Sequence, residues 1–211
     1  MAPPWLTAPG RRALVGLKVV VFLAALGPLA WLGAGFVTDQ LGANPIEALT
    51  HSTGEWALRF LLLSLALTPL RLLSGLTWPL RLRRMLGLYA FFYASLHLAC
   101  YLWLDQFFDW PAIGRDILKR PFITVGFAAF VLLLPLAATS FKAAIQALGG
   151  RRWQALHRSV YAIALLSVMH FWWLVKRDIR EPLIYAALLA TLLAIRLASR
   201  RATQPGARKS L

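Results

Sequence analysis

The chain has 211 residues, of which 59% are apolar and only 15% are charged. Soluble domains carry roughly a quarter charged residues, so this composition excludes a water-facing globular enzyme, and its wealth of large apolar side chains excludes disorder. The 23 Lys and Arg outnumber the 8 Asp and Glu and give a net charge of +15, which in a membrane protein reports orientation and not nucleic-acid binding.

Six apolar runs are long enough to cross a bilayer, which takes about 20 helical residues. In chain order they cover 13–36, 55–73, 85–104, 121–140, 154–175 and 182–199. The sequence therefore predicts an all-α fold, a polytopic membrane bundle of six transmembrane helices. Because the connections are short, we expect one domain over 11–200, flanked by tails at 1–10 and 201–211.

Basic residues are spread unevenly over the predicted loops. With the N-terminus in the cytoplasm, sixteen Lys and Arg fall on the inner side and six on the outer side, while Arg59 lies inside a span. The outer bases are Arg115, Lys119, Arg120, Lys176, Arg177 and Arg180. All eight acids share that side: Asp39, Glu47, Glu55, Asp105, Asp109, Asp116, Asp178 and Glu181. Since cytoplasmic loops are enriched in Lys and Arg, both termini are predicted to be cytoplasmic.

Local signals mark the starts of two of these helices. Ser52 and Glu55 have the spacing of a capping box, which predicts that the second helix begins there and leaves His51 in an outer loop. Pro182 follows Glu181 at the start of the sixth run, where a missing N–H costs little. Pro28 and Pro135 lie within spans and predict kinks.

Three histidines lie within predicted spans, where ionisable side chains are costly and are functional candidates by default. At 1.5 Å per residue, His97 lies about 12 Å and His170 about 9 Å below the outer boundary, so the two imidazoles are at matching depth on the third and fifth spans. His157 lies about 7–8 Å from the inner boundary.

Two histidines at one depth on different helices suit axial ligation of a b-type haem, because imidazole binds iron well and bundle sites are built from facing helices. A zinc site is less favoured, since Cys100 is the only further ligand at that level. Hydrogen bonding of His97 and His170 across helices is an equal alternative on the pairing alone.

Several arginines are candidates for binding an anionic cofactor. Arg59, near the level of the outer histidines, suits a haem propionate, but an i,i+4 pair with Glu55 explains it equally well. On the inner side a basic cluster surrounds His157, comprising Arg83, Arg84, Arg151, Arg152 and Arg158. Membrane orientation explains most of that cluster, while phosphate recognition is the sharper hypothesis.

A resemblance to a known family rests on a series of segments in chain order. They are Thr53–Leu58, Thr68–Arg71, Arg83–Leu88, Tyr93, Leu96 with His97, Asp116–Thr124, Pro135–Ala137, Thr139 with Ser140, Trp153–His157, Tyr161, His170, and Glu181 with Pro182. The series covers nearly all of residues 11–200 and resembles the MsrQ (YedZ) family, the haem-binding membrane subunits of a periplasmic methionine-sulfoxide reductase system. The wider group is the ferric-reductase-like transmembrane domain, which NADPH oxidases share.

This resemblance implies an electron-transfer subunit of the bacterial inner membrane, with catalysis carried out by a partner. Electrons come from the quinone pool or a cytoplasmic flavin reductase and pass through haem b, with FMN also associated. They reach the periplasmic molybdenum-containing reductase MsrP, which reduces methionine sulfoxide in oxidised proteins. His97 and His170 are the implied haem ligands, with His157 as the third family histidine, and no nucleic acid is involved.

One departure from the wider group affects the number of haems. NADPH oxidases carry two histidines on each of two helices, whereas here the third span has only His97, and the positions thirteen and fourteen residues earlier are Arg84 and Arg83. A second, inner haem would need an arginine, a water or no ligand opposite His157. Flavin or quinone at the inner level is the alternative.

Two other functions compete with this interpretation. A small transporter could use the intramembrane His and Arg side chains to bind substrate or protons, although we find no convincing inverted repeat of the kind that transporters show. A stand-alone ferric reductase would need a fused flavin and nicotinamide domain. Because ten residues follow position 201, such a donor is expected to be a separate protein.

Overall fold

The computed structural model describes residues 9–175 and 178–202, and all regular structure within these ranges is helical. The helices are α1 (Arg11–Val37), α2 (Pro45–Ser74), α3 (Arg83–Ala99), α4 (Trp110–Lys119), α5 (Pro121–Ala138), α6 (Lys142–Leu148), α7 (Gly150–His157), α8 (Val160–Leu174) and α9 (Arg180–Ala202). A 3-10 turn, Trp78–Leu82, precedes α3, and a π-helical segment, Cys100–Asp105, continues it. The all-α prediction is confirmed. Lys176, Arg177 and nearly all of the predicted tails 1–10 and 201–211 lie outside the described residues.

Helix α2 begins ten residues before the predicted second span. Asn44 caps it, because its side-chain oxygen accepts a hydrogen bond from the Glu47 N–H at 3.2 Å while its amide donates to the Glu47 carboxylate at 3.0 Å. The predicted capping box at Ser52 is therefore wrong, since the first turn of the helix is already complete there. His51 lies within α2 and not in a loop, although its side chain is exposed.

The predicted fifth span is divided into two helices. Residues 158 and 159 form a tight turn between α7 and α8, in which the Ser159 N–H and hydroxyl both donate to the carbonyl of Leu156. Serine competes for backbone partners in this way, and the i→i−3 bonds interrupt the α-helical ladder. Helix α8 is then only about 22 Å long. Five other segments are long and apolar enough to span a membrane: Arg11–Val37, Pro45–Ser74, Trp78–Asp105, Pro121–Ala138 and Arg180–Ser199.

Helix α2 lies at the centre of the bundle and contacts α1, α3, α8 and α9. Its middle turns carry the densest run of buried side chains, namely Leu58, Phe60, Leu61, Leu62 and Leu65. Phe60 stacks on Tyr89 and Tyr93 of α3 with ring centres 5.4 Å apart in both pairs. The two outermost long helices, α1 and α9, instead expose many Leu, Val and Phe side chains, as expected of lipid-facing surfaces.

Contacts at both ends of the helix pairs define how they run. The start of α2 meets the end of α3 at Thr50 and His97, and Ser64 meets Arg83 further along, so these helices are antiparallel. Likewise the start of α5 meets the end of α8 at Phe122. The end of α5 meets the end of α7 through Thr139. From His157 at the end of α7 through α8, the chain therefore runs antiparallel along α5.

Helix α1 is attached to α3 by tyrosine hydroxyls beside Pro28. The Tyr93 hydroxyl accepts from the Leu29 N–H at 3.2 Å and donates to the Ala25 carbonyl at 2.8 Å. It thus stands in for the direct 29→25 bond of the helical ladder, which is how an inserted side chain opens a helix next to a proline. Tyr93 is fully buried, so this connection also anchors α1 to the core.

Candidate functional site

The structure brings His97 and His170 together, as their matching depths predicted. Their ring centres are 6.0 Å apart, and the ring planes are nearly perpendicular at 77°. His97 comes from the last turn of α3 and His170 from the last turns of α8, so two helices that are distant in sequence each present one imidazole to the same space. Both side chains are half-buried.

His97 is held by the first part of α2. Its Nδ1 lies 2.8 Å from the carbonyl oxygen of Thr50. Since a carbonyl can only accept, Nδ1 carries the proton and Nε2 keeps its lone pair. One turn further along α2 is Gly54, where an added Cβ would lie 2.9 Å from Nδ1, too close for any real contact. The absence of a side chain at Gly54 therefore makes room for the ring.

His170 is held in the same way by α5. Its Nδ1 donates to the carbonyl oxygen of Phe122 at 2.7 Å. Gly126 lies one turn further along, and a Cβ there would come within 2.7 Å of Nδ1 and 2.8 Å of Cε1. Each imidazole thus rests on a glycine and donates to the carbonyl four residues before that glycine. We refer to these two arrangements, Thr50–Gly54 under His97 and Phe122–Gly126 under His170, as the histidine seats.

This geometry fits a bis-histidine haem site. Metal-binding histidines commonly donate their other ring N–H to a backbone carbonyl, which fixes the tautomer and the ring orientation. Neither Nε2 has a hydrogen-bond partner among the described residues. A metal between the rings, about 2 Å from a nitrogen of each, requires ring centres about 6 Å apart. No cluster of three or more His, Cys, Asp or Glu occurs in the described ranges, but a haem iron needs only two axial ligands from protein.

Arg59, predicted as a partner for a cofactor, makes a local ion pair. Its Nη2 is 2.6 Å from the Glu55 carboxylate, and its Nε donates to the Tyr185 hydroxyl of α9 at 2.9 Å. The guanidinium also lies over the Trp56 ring at 4.8 Å. The i,i+4 pair with Glu55 is therefore the contact that the structure contains, and the charge of Arg59 is compensated within the protein.

His157 belongs to a separate cluster at the end of α7. Its Nε2 is 3.0 Å from the Thr139 hydroxyl, which itself donates to the Pro135 carbonyl at 2.6 Å. The hydroxyl proton is thus used, so Nε2 of His157 is the donor and Nδ1 keeps the lone pair. Trp153 stacks on the imidazole with ring centres 4.0 Å apart and donates its indole N–H to the Thr139 carbonyl at 2.9 Å.

The inner arginines predicted around His157 are placed differently from one another. Arg83 is half-buried and close enough to His157 for their charges to interact. Arg84 is exposed and lines a groove between α1 and α3 with Lys18 and Arg81. Arg152 is exposed on α7. Of these three arginines, Arg83 is therefore the one that interacts with the inner histidine.

Sequence reasoning missed several residues that shape these sites. Gly54 and Gly126 are not among the residues that the sequence predicts. A glycine one turn beyond a carbonyl has no recognisable pattern until the histidine that it faces is known. Arg196 is one of the sixteen Lys and Arg that the sequence assigns to the inner side. Its side chain is buried and donates to the Tyr161 hydroxyl at 2.5 Å and to the Leu65 carbonyl.

Comparison with known proteins identifies close relatives over most of the chain. The family described as "Ferric reductase like transmembrane component" matches residues 53–168, a segment that contains His97 and His157 and ends just before His170. Proteins named protein-methionine-sulfoxide reductase heme-binding subunit MsrQ align from Rhodospirillum rubrum (60% identity, 85% of this chain and 86% of the relative) and Azospira oryzae (58%, 91% and 83%). The protein of that name from Xanthomonas euvesicatoria is 52% identical over 95% of this chain and 98% of its own length.

Proposed function

This chain belongs to the MsrQ family of haem-binding membrane subunits, and we propose that it carries electrons across the bacterial inner membrane through haem b held by His97 and His170. The single observation that carries the proposal is the pair of histidine seats. Each orients one imidazole with Nδ1 donating to a backbone carbonyl and leaves Nε2 available as a ligand. Haem supplies a one-electron redox centre when bound, and the chain supplies placement and tuning.

The proposed topology has six membrane passages with both termini in the cytoplasm. Support comes from the antiparallel course of α7 and α8 along α5, which returns the chain from the Thr139 end to the Phe122 end of the bundle. Although α8 alone is short, the end of α7 and the turn after it already lie at the Thr139 end of α5, where this passage begins. The distribution of Lys and Arg between the loops then sets the orientation, so the histidine seats face the periplasmic side.

Electrons enter at the inner end in this proposal and leave at the outer end. The donor is the quinone pool or a cytoplasmic flavin reductase. The acceptor is the periplasmic molybdoenzyme MsrP, which docks on the outer connections and reduces methionine sulfoxide in oxidised proteins. Those connections contain α4 and carry exposed Phe107, Phe108 and Trp110. Exposed aromatic side chains of this kind are enriched at protein–protein contacts.

The inner level holds a second cofactor in the proposal, either haem or FMN. His157 is the residue there that offers a ring nitrogen with a lone pair, and Arg83 provides a neighbouring positive charge. Exposed Arg84 and Arg152 add cationic charge at the same end of the bundle. Arg59 remains the candidate partner for a propionate at the outer level, in competition with its carboxylate partner Glu55.

A reduced-minus-oxidised absorption spectrum of the purified protein tests the proposal directly. We expect the bands of a b-type haem, lost from the outer site in His97→Ala and in His170→Ala while membrane insertion is unchanged. His51→Ala is the matched control, because His51 is an exposed histidine on α2 close to the same level. A colourless wild-type protein would favour the transporter alternative, and full-strength spectra in both ligand variants would refute the histidine assignment.

A further inference from the structure

Arg196 is a buried cation without a counterion. Its side chain is 8% exposed, and its Nε is a buried donor with no acceptor among the described residues. The ion pairs in the described ranges join Glu55 to Arg59, Asp116 to Arg120 and Asp178 to Arg180, and none includes Arg196. All eight Asp and Glu lie towards the opposite end of the bundle, so no acidic side chain among the described residues is placed to neutralise Arg196.

A second cation lies beside it. The Ser64 hydroxyl bonds to the backbone of Arg83, and the next residue of α2, Leu65, accepts a hydrogen bond from the Arg196 guanidinium. Consecutive residues of α2 thus hold the two arginines, which are close enough for their charges to repel. Two like charges within a bundle, with no acid between them, are unfavourable unless an anion joins them.

The Tyr161 hydroxyl adds a second donor without an acceptor in the described ranges, after Nε of Arg196. It accepts a hydrogen bond from Nη1 of Arg196 at 2.5 Å, and the ring lies under the guanidinium at 5.4 Å. No acceptor for its own O–H occurs in the part of the chain that the structure describes. Arg83 also interacts electrostatically with Tyr161. Arg196, Arg83 and Tyr161 therefore share one neighbourhood that offers positive charge and N–H and O–H donors, and that lacks any acceptor with negative charge.

We infer that Arg196, Arg83 and Tyr161 form an oxyanion site that binds the carboxylate or phosphate group of a cofactor at the inner level. The inference rests on the proposed function and deepens it. Arg83 belongs to the oxyanion site and also interacts with His157, so the site adjoins the inner histidine. A guanidinium and a phenol are well suited to this ligand, since charge-assisted bonds to an oxyanion are the strongest hydrogen bonds in proteins. The anion has two possible sources, the propionate of an inner haem and the phosphate of FMN.

Arg196→Gln tests the site, because glutamine keeps a polar side chain and removes the charge. Haem and flavin per polypeptide are measured in the purified protein, and the redox midpoint potentials are determined with them. We expect the affinity for one of the two cofactors to fall at least about tenfold. If Arg196→Gln loses flavin, the bound anion is the phosphate of FMN. If it loses the inner haem, which is the haem that His97→Ala retains, the bound anion is a propionate carboxylate. Arg196→Lys should retain part of the binding, and Lys142→Gln, which removes an exposed inner cation on α6, should match the wild type.

Chemically modified cofactors test the same site without relying on the stability of one variant. The wild-type apoprotein is titrated with haem b and its dimethyl ester, and with FMN and riboflavin, which lacks the phosphate. We expect the anionic form of one pair to bind at least about tenfold more tightly, and this preference to shrink in Tyr161→Phe. Equal binding within both pairs, or unchanged cofactor content and potentials in Arg196→Gln, would overturn the inference. The haem held by His97 and His170 should remain bound in every one of these experiments. If the wild-type protein shows no such haem, the proposed function is contradicted, and not the inference about the oxyanion site.

Discussion

The bundle has an outer end, at His97 and His170, and an inner end, at His157. The two ends differ in how their histidines are hydrogen-bonded and in whether an arginine there is paired with a carboxylate. At the outer end, His97 and His170 each donate through Nδ1 to a backbone carbonyl, and Arg59 has Glu55 as its counterion. At the inner end, His157 donates through Nε2 to a side chain, and Arg196 has no counterion among the described residues.

This difference separates ligand orientation from charge compensation. At the outer end, two imidazoles lie with their ring centres 6.0 Å apart and the charge of Arg59 is compensated by Glu55, so a haem held there would take its iron ligands from His97 and His170. The inner end offers one imidazole and surplus positive charge, so it is completed by a ligand that brings negative charge. The two ends therefore call for different experiments, and the effects below decrease from the first to the last.

The largest effect is expected from removing an outer ligand. His97→Ala or His170→Ala should remove most of the outer haem, because only one of the two imidazoles that would hold it is left. Haem per polypeptide and the difference spectrum measure this loss, with His51→Ala as the control that removes an exposed histidine. If either variant kept the full spectrum of the outer haem, the replaced histidine would not be a ligand of that haem.

A smaller loss is expected from filling a histidine seat. In Gly54→Ala or Gly126→Ala, the new Cβ would come within 3 Å of the imidazole and push the ring away from its carbonyl acceptor. Loss of such a supporting contact typically weakens metal binding by about 10–100-fold. Titration of apoprotein with haem measures the change. Gly33→Ala is the matched control, because Gly33 is also helical and a Cβ there meets nothing within 4 Å, so any gain in helix propensity is shared. Unchanged affinity in both seat variants would mean that the glycines do not position the ligands.

Replacing the inner histidine should leave the outer haem intact. His157→Ala removes the hydrogen bond to Thr139 and the stacking on Trp153, contacts that do not involve either outer histidine. The outer haem should keep its full spectrum while the inner cofactor is lost, as measured by haem and flavin content of the same sample. Loss of all pigment from a folded His157→Ala protein would contradict the division into two levels.

The smallest effect is expected from the outer ion pair. Glu55→Gln removes the charged partner of Arg59, but the guanidinium keeps its hydrogen bond to Tyr185 and its contact with the Trp56 ring, so we expect only a small loss of stability. The midpoint of thermal unfolding measures this change, and Asp116→Asn, which breaks the other outer i,i+4 pair with Arg120, is the comparison. A loss of haem in Glu55→Gln would show that Arg59 and Glu55 act on the cofactor and not only on each other.

Predictions from the sequence held best where they depended on local pattern. The apolar runs predicted helices at α1, α3, α5 and α9 close to their observed bounds, because a lipid-facing helix must be apolar over its whole length. Predictions failed where a polar residue competed for backbone partners. Asn44 begins α2 before the apolar run starts, and Ser159 interrupts the run between α7 and α8.

The sequence by itself determined that this is a helical membrane protein, and it placed His97 and His170 at one depth, since depth follows from counting residues along a helix. Only the tertiary structure decided which carbonyls orient the rings, that two glycines make room for them, and that Arg59 is paired with a carboxylate while Arg196 is paired with none in the described ranges. The physical reason is that a hydrogen bond or an ion pair between helices depends on helix rotation and packing, which residue spacing within one helix does not specify.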